Sequence, residues 1–257
     1  MKLFGSLLAL AFAGLTACGG GSTPPQMQIS VLSNQLSLDY GGFRLLYDCD
    51  LKSAIRFEYK LDRDTGNFSR PATFNFDPNL SKNCGQQLTT NSYASVVSGW
   101  DRGHLVASNH MDYDVAYLLS ANYMTNIVPQ LAGFNQGLWK ETENITECYR
   151  DLSPVQVIGG VLYSDSSNDF FVLSHGIKTP DYFWKTLITT NSNNQIETIS
   201  WLFPNQNGLA NLNLHIVSID ELERRVGADL IGLDLASAIK MQKASKSWEL
   251  PKNCLLD

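Results

Sequence analysis

The chain has 257 residues, of which 44% are hydrophobic and 17% charged, and its formal net charge is −6 at pH 7. This composition excludes a disordered chain, and the length suits one domain of about 200 to 230 residues with a buried core, or at most two small ones. The acidic balance excludes a storage or regulatory nucleic-acid binder coated with positive potential, so any contact with nucleic acid must be local.

The N-terminus has the form of a secretory signal. A single lysine precedes the apolar stretch LFGSLLALAFAGLTA, which is too short for an ordinary membrane-spanning helix. Residues 15–18, LTAC, resemble the bacterial lipobox, in which the signal is cut before a cysteine that is then acylated. Residues 1–17 are therefore predicted to be a lipoprotein signal peptide, and 18–27, which include GGGSTPP, a flexible tether. The alternative is an ordinary signal peptide with an incidental cysteine.

This prediction makes residues 28–257 an exported domain. Acylated Cys18 would anchor that domain to a bacterial membrane, facing the periplasm or the cell surface.

Four cysteines remain when Cys18 is set aside: Cys49, Cys84, Cys148 and Cys254. An even number in an exported chain predicts two disulfides. Three pairings are possible, of which Cys49–Cys84 with Cys148–Cys254 would leave both bridges outside the DRGH segment at 101–104. Four buried thiols are the alternative, and a zinc site is disfavoured because the chain has no CxxC spacing.

The first half of the chain is rich in β-strand patterns. Residues 26–33, 43–50 and 54–62 alternate apolar and polar side chains, and Gly41-Gly42 indicates a turn between the first two. The segment 75–87 has the Pro, Asn and Gly content of a long surface loop. Strand character returns at 96–108 and 123–130.

A helix is predicted from near Phe134 to about Tyr149, followed by four more strands at 155–163, 169–174, 182–190 and 197–204. Ser218 and Glu221 have the spacing of a capping box and predict the start of a last helix. Strands in series with a few helices indicate an α+β fold on a mainly antiparallel sheet.

Three short segments carry side chains that suit phosphodiester hydrolysis: SGWDRGH at 98–104, TNIVPQ at 125–130 and FNQGLWKETE at 134–143. An imidazole can take a proton from water, a guanidinium can grip a phosphate oxygen, and an amide oxygen can bind a hard divalent cation. His104, Arg102 and Asn135 supply these groups.

In this order the segments resemble the sugar-non-specific DNA/RNA endonuclease family, which has a ββα-metal site and includes endonuclease G. The resemblance continues more faintly through PDYFWK at 180–185 and VSIDELERRVGAD at 217–229, in the manner of the family's bacterial secreted or lipoprotein branch. It covers roughly residues 40–250. It implies a ββα-metal nuclease fold with helices flanking the central sheet, and Mg²⁺-dependent hydrolysis of DNA and RNA, with Mn²⁺ as the substitute ion.

The resemblance also implies roles for three residues. His104 is the general base that activates the attacking water, Asn135 is the only direct protein ligand of the metal, and Glu143 orients a metal-bound water. Asn135 and Glu143 are eight residues apart, about two helical turns, so they project roughly to one side with Trp139 between them. The alternative for Asn135 is a helix N-cap.

Three arginines are candidates for phosphate contact. Arg102 suits that role, or else pairs with Asp101. Arg70 resembles the family's upstream phosphate-binding arginine, although the following aromatic residue is offset. Where the family has a second arginine after the helix glutamate, this chain has Glu147, and Arg150 is the hypothetical replacement.

Other polar residues are interpreted as structural. His110, Asp112 and Asp114 could form a second metal cluster, but local hydrogen bonds are favoured, and Asn126 is interpreted as a framework residue. Two functions compete with the endonuclease: a small-nucleotide phosphodiesterase and a catalytically dead nucleic-acid-binding lipoprotein. The substrate and the membrane are the predicted partners, and no protein partner is inferred.

Overall fold

The computed structural model describes residues 34–254 and residue 256. The predicted signal peptide, Cys18, the tether and the predicted strand at 26–33 therefore lie outside the described residues. Within the described ranges, no helix is long and apolar enough to cross a membrane.

The centre of the molecule is a seven-stranded sheet in which every neighbouring pair is antiparallel, in the order β1-β2-β3-β6-β7-β8-β9. Its strands are β1 (Gln35–Asp39), β2 (Phe43–Asp48), β3 (Ser53–Leu61), β6 (Val155–Leu162), β7 (Tyr182–Thr190), β8 (Ile196–Pro204) and β9 (Ile216–Val217). Gly41 forms the predicted turn with φ at 83°, but the strand before it is 35–39, which the sequence did not reveal.

Both faces of this sheet are buried. On β7, Phe183 and Leu187 belong to a large apolar cluster that includes Phe134 and Trp139, whereas Trp184 packs with Leu222 on the opposite face. Successive side chains of a strand point to opposite faces, so a strand covered on both sides is apolar almost throughout. This explains the continuous hydrophobic run of β6 and β7.

A separate two-stranded antiparallel ribbon carries the DRGH tetrapeptide. Its strands are β4 (Trp100–His104) and β5 (Ile127–Leu131). The chain then enters α2 (Ala132–Phe134), a π-helical turn (Asn135–Trp139) that is kinked at Gly137, and α3 (Lys140–Arg150). The helix therefore begins two residues earlier than predicted and ends one residue later.

The remaining helices are short: α1 (Val115–Ala121), α4 (Ile219–Val226), α5 (Ala228–Ile231) and α6 (Ser237–Lys240). The predicted capping box at α4 is confirmed, because the Ser218 side chain accepts from the Glu221 amide and the Glu221 carboxylate accepts from the Ser218 amide. Together with the sheet, these elements confirm the predicted α+β architecture.

One predicted strand is wrong. Residues 169–174 form turns, in which the amides of His175 and Gly176 both bond to the carbonyl of Phe171. Phe171 is fully buried while Leu173 is 96% exposed. The segment is therefore a loop that Phe171 anchors to the core, and its apolar composition does not indicate a strand.

The cysteines pair as Cys49–Cys84 and Cys148–Cys254. The second bridge ties the C-terminal segment to α3. The two predicted disulfides are confirmed, and of the three pairings left open by the sequence the structure has the one that leaves both bridges outside residues 101–104.

Candidate active site

The β4–β5 ribbon fixes the DRGH tetrapeptide. Asp101 lies opposite Gln130, and Gly103 lies opposite Val128. A Cβ at position 103 would lie 2.2 Å from Oε1 of Gln130, so only glycine allows this buried amide to pack across the ribbon. The two motifs SGWDRGH and TNIVPQ thus form a single structural unit.

His104 is 8% exposed and is held by a polar network at one ring nitrogen. Its Nε2 lies 2.8 Å from Oδ1 of Asn122 and 3.1 Å from Oγ of Ser108. The Asn122 amide is oriented by its Nδ2, which donates to the carbonyls of Pro71 and Thr73 at 3.0 and 3.1 Å. Its Oδ1 must therefore accept, which assigns the ring proton to Nε2 and leaves Nδ1 with a lone pair.

That lone pair lies beside Arg70, whose guanidinium nitrogen is 3.4 Å from Nδ1 of His104. Burial, together with the nearby charges of Arg70 and Arg102, lowers the pKa of His104 to about 3. The imidazole is therefore neutral at neutral pH, as a proton acceptor must be. The predicted Arg70 and His104 are brought together by the fold.

Arg102 does not pair with Asp101. It donates to the Thr90 carbonyl at 2.7 Å, and its guanidinium carbon lies 3.9 Å from the ring centroid of Phe74. The Phe74 ring is in turn 5.4 Å from the His104 ring, so Arg102 supports one wall of the histidine site.

Asn135 is anchored by Asp101, whose Oδ2 accepts from Nδ2 of Asn135 at 2.9 Å and from Nε2 of Gln136 at 2.8 Å. The N-cap alternative is wrong, because the helical segment already begins at Ala132. Anchoring through Nδ2 leaves the Asn135 Oδ1 without a hydrogen bond in the described part of the chain. An amide oxygen held in this way is a suitable ligand for a hard cation.

The π-helical turn affects the relative direction of Asn135 and Glu143. In a regular α-helix, residues eight apart are rotated by about 80° relative to one another. Between Asn135 and Glu143 the helical geometry is interrupted at Gly137, whose φ of −101° and ψ of −115° are not helical, so the spacing alone does not give their relative direction. The side chain of Trp139 then ties this helix to the ribbon, because its Nε1 donates to the His104 carbonyl at 3.1 Å.

Glu143 is half-buried, and burial raises its pKa, while the nearby charges of Lys185 and Arg70 lower it. Arg70 thus acts on both His104 and Glu143. Among the described residues, no group of three His, Cys, Asp or Glu side chains could hold a metal. One amide oxygen with a carboxylate nearby nevertheless fits a divalent cation that keeps most of its water, as Mg²⁺ does.

A family model for DNA/RNA non-specific endonucleases matches residues 23–240. The chain belongs to this family. A nuclease of Serratia marcescens is 26% identical over 226 residues, covering 86% of this chain and 84% of that protein. Mitochondrial endonuclease G of Bos taurus is 28% identical over 155 residues, covering 55% of this chain and 51% of that protein.

The solved structure of the EndoG/EndoGI complex superposes with a TM-score of 0.60 at 20% identity, covering 74% of this chain and 83% of that one. This likeness confirms the predicted nuclease fold. The family assignment makes the chain a metal-dependent endonuclease, and the predicted resemblance is confirmed.

One residue proposed for this endonuclease site is wrong. The Arg150 side chain is only 2% exposed, donates through Nε to the Asp62 carbonyl at 2.9 Å, and pairs with Glu147 at 3.3 Å and Asp64 at 3.5 Å. Its donors are directed into the protein, so it cannot replace the family's second phosphate-binding arginine. Glu147 is also buried, at 5% exposure, and does not face a phosphate.

The other polar residues have the structural roles that were favoured. His110 bonds through Nδ1 to the Tyr59 hydroxyl at 2.8 Å, and Asp114 caps α1. The side chain of Asn126 accepts from the Val106 amide and donates to the carbonyls of Val106 and Ala121. No second metal cluster is formed within the described ranges.

Sequence reasoning missed two buried polar residues that contact the candidate site elements. Asn122 fixes the tautomer of His104 from 18 positions away, and a lone asparagine in SANYMTN carries no local signal for this contact. Lys185 lies beneath α3 and is fully buried. The available signal was a lysine within the apolar strand YFWKTLITT. A charged side chain is rarely buried in such a strand unless it has a partner.

Proposed function

We propose that this endonuclease uses Mg²⁺ to hydrolyse the phosphodiester bonds of both DNA and RNA, with little base preference. A site that grips phosphates does not read base edges, so it discriminates poorly between sequences. The observation that carries the proposal is the unprotonated Nδ1 of His104, which accepts from the exposed Arg70 guanidinium at 3.4 Å and would be released when that guanidinium binds a phosphate.

In the proposed reaction His104 takes a proton from the attacking water at Nδ1. The imidazolium formed is stabilised through Nε2, whose proton is already donated to Asn122. Arg70 binds a non-bridging oxygen of the same phosphate, and its exposed side chain can reach a substrate from the groove. Arg102 adds positive potential and holds Phe74 against the histidine.

Asn135 would hold the cation through Oδ1, and Glu143 would orient a water of its hydration shell. When bound, a divalent cation neutralises charge on the phosphate and on the departing 3′ oxygen. Mn²⁺ has similar coordination preferences and is the expected substitute.

The test is digestion of plasmid DNA and of RNA by the purified chain, with added Mg²⁺, with Mn²⁺ and with EDTA. We expect both polymers to be cut internally, and EDTA to stop the reaction. A chain that turns over a small chromogenic diester but not long DNA would be a small-nucleotide phosphodiesterase, and binding of DNA without cleavage would identify a dead binding protein.

The cellular location is part of the proposal. We infer an exported protein anchored to a bacterial membrane through acylated Cys18, because LTAC ends an apolar segment and the two disulfides suit an oxidising compartment. Replacing Cys18 by serine should move the protein from the membrane fraction to the soluble fraction. An unchanged distribution would favour an ordinary signal peptide.

A further inference from the structure

Four apolar side chains are exposed together at one end of the central sheet. Three of them, Phe170, Val172 and Leu173, lie in the loop between β6 and β7, and the fourth is Leu88. Their exposed fractions are 49%, 43%, 96% and 61%. Single exposed apolar residues are common on protein surfaces, but a cluster of this kind marks a surface that contacts a partner or a membrane. These four residues are named the tip.

The two segments of the tip are joined by contacts at Gly176. The Leu88 amide donates to the carbonyl of His175 at 2.7 Å, and the Gly176 amide donates to the carbonyl of Phe171 at 3.1 Å. A Cβ at position 176 would lie 2.8 Å from Cγ of Leu88, so the loop packs directly against this leucine. Phe171 anchors the loop in the core beside Tyr93, with 4.8 Å between the ring centroids. The exposed side chains are therefore carried by a loop that the core holds in place.

Lysines border the tip. Nζ of Lys52 lies 3.2 Å from the position that a Cβ of Gly176 would take, and Lys178 is exposed two residues further along the loop. Lys178 is paired with Asp169 at 4.0 Å, so its charge is partly offset. An apolar cluster with lysines at its rim suits the headgroup region of a bilayer, because the lysine stems cover apolar surface while the ammonium groups reach phosphates. The apolar side chains supply most of the binding.

The tip lies at the end of the sheet where the chain enters the described domain. Asn34 is the first described residue, and its side chain donates to Oδ1 of Asp50 at 3.0 Å. The turn that contains Asp50 continues to Lys52, which borders the tip. Residues 19–33, which lead back to Cys18, span at most about 50 Å even when fully extended. A lipid on Cys18 would therefore hold the tip near the membrane surface.

We propose that the tip is a membrane-docking face: when Cys18 is acylated, Leu88 and the loop at 170–173 insert into the headgroup region of a phospholipid bilayer. The proposal rests on the proposed anchoring through Cys18 and goes beyond it, since a flexible anchor alone leaves the orientation of the domain free. A second contact, made by the domain itself, fixes which side faces the lipid. One weak apolar contact is enough, because the anchor already confines the domain to the surface.

The tip does not include the endonuclease site. Trp100, the first residue of β4, contacts Phe170 with 6.1 Å between the ring centroids, and His104 is the last residue of the same strand. At the rise of an extended strand, His104 lies ~13 Å further along. Changes in the tip should therefore leave the hydrolysis of DNA in the absence of lipid unchanged.

The experiment measures the depth of the tip in a bilayer. The acylated chain is purified from membranes and reconstituted into vesicles of phosphatidylethanolamine and phosphatidylglycerol, with a fluorescent label on Leu173→Cys or on Ile196→Cys. Ile196 is 42% exposed and lies at the opposite end of the sheet, beside the turn between β7 and β8.

The label at 173 should lie about 5 to 10 Å below the bilayer surface, where doxyl groups on the upper part of the lipid acyl chains quench it. The label at 196 should stay unquenched. Absence of quenching at both positions overturns the proposal.

A charge placed beside the label tests whether the tip inserts through its apolar side chains. Val172→Asp in the Leu173→Cys background should reduce quenching at least about twofold, because a carboxylate resists transfer out of water. Ile196→Asp in the same background replaces an equally exposed side chain and is the matched control, which should leave quenching unchanged. Both substitutions are at exposed positions, so Tm should stay the same. Equal quenching in the two variants would show that the label enters the bilayer without the tip, and would overturn the proposal.

The remaining outcomes separate the failure of docking from the failure of anchoring. Mass spectrometry of the N-terminal peptide shows whether Cys18 is acylated. An unacylated Cys18 overturns the proposed location and the docking face together, whereas an acylated chain with an unquenched label at 173 overturns docking alone.

Two other occupants of the tip are recognised by iodide quenching of the label at 173 without vesicles. Shielding from iodide in the chain alone would show that a second copy covers the tip, and shielding only after DNA is added would show a nucleic-acid contact. Either result overturns the membrane-docking face, which predicts a label open to iodide until lipid is present.

Discussion

His104 and His110 are both buried, and burial lowers the pKa of each to about 3. They differ in what their ring nitrogens contact. His110 is engaged at both, with the Tyr59 hydroxyl at Nδ1 and the Glu143 carbonyl at Nε2. His104 is engaged by neutral acceptors only at Nε2, and its Nδ1 faces Arg70. A depressed pKa therefore does not distinguish the two histidines, whereas their contacts do: Nδ1 of His104 accepts from Arg70, the proposed phosphate contact, while both ring nitrogens of His110 bond inside the protein.

The same contrast extends to the surroundings of the two histidines. Near His110, Glu147 and Arg150 satisfy each other inside the protein, in a network that closes the core side of α3. Near His104, the Asn135 amide is held through Nδ2 by Asp101, so its oxygen makes no hydrogen bond within the described part of the chain. We interpret the first region as a support and the second as the reacting site.

The largest effect on the reaction should come from replacing His104. His104→Ala removes the base and should lower kcat by ~10²- to 10⁴-fold without unfolding the domain. His110→Gln should instead lower the unfolding temperature and leave the rate of the folded fraction close to normal. Plasmid-cleavage rates and thermal denaturation of both variants check this, and an active His104→Ala enzyme would remove the mechanism.

Arg150→Ala should break the buried network and destabilise the domain by about 3 to 5 kcal/mol, because it leaves the Glu147 charge unpaired. Arg224, which makes an exposed pair with Asp220, is the control, and its replacement by alanine should cost at most about 0.5 kcal/mol. Urea denaturation measures both. If Arg150→Ala stays stable and loses affinity for DNA, the support region contributes to binding after all.

Asn135→Ala should lower the apparent affinity for Mg²⁺ by at least about tenfold, with activity only partly restored by raised Mg²⁺. Gln136→Ala, which also removes a donor to Asp101, should retain near-normal metal dependence because its amide oxygen is not the proposed ligand. Activity measured across a Mg²⁺ titration distinguishes the two. A normal titration for Asn135→Ala would place the metal elsewhere.

The smallest of these effects is expected for Arg70. A charge-assisted contact to phosphate contributes about 1.5 to 3 kcal/mol, so Arg70→Ala should lower kcat/KM by about ten- to a hundredfold. The salt dependence of kcat/KM should also weaken, since fewer counterions are released on binding. Arg70→Lys should recover part of the loss. An unchanged salt dependence would mean that Arg70 acts on His104 alone.

The sequence predicted those features whose residues lie together in one short segment of the chain. His104, Asn135 and Glu143 lie in contiguous motifs, and the Ser218 capping box depends on neighbours three residues apart. Arg150 shows the limit of such reasoning: helical spacing gives the direction of a side chain around the axis but not the depth at which the helix is buried.

Tertiary contacts account for the other omissions. Asn122 reaches His104 only because the loop carbonyls of Pro71 and Thr73 orient its amide. At the start of the π-helical turn at 135–139, Asn135 and Gln136 both donate to Asp101 of β4, a contact with no local sequence signal. Residues 169–174 have strand-like composition but find no neighbouring strand to pair with.

The central claim is that His104 is neutral at neutral pH, with its ring proton on Nε2 and an unprotonated Nδ1, and its ring ¹⁵N chemical shifts test this directly. Spectra of the labelled chain at pH 7, assigned with His104→Ala and His110→Gln, should show His104 as the neutral tautomer protonated at Nε2. A proton at Nδ1, or an imidazolium at this pH, would contradict the account, because His104 could not then accept a proton from water.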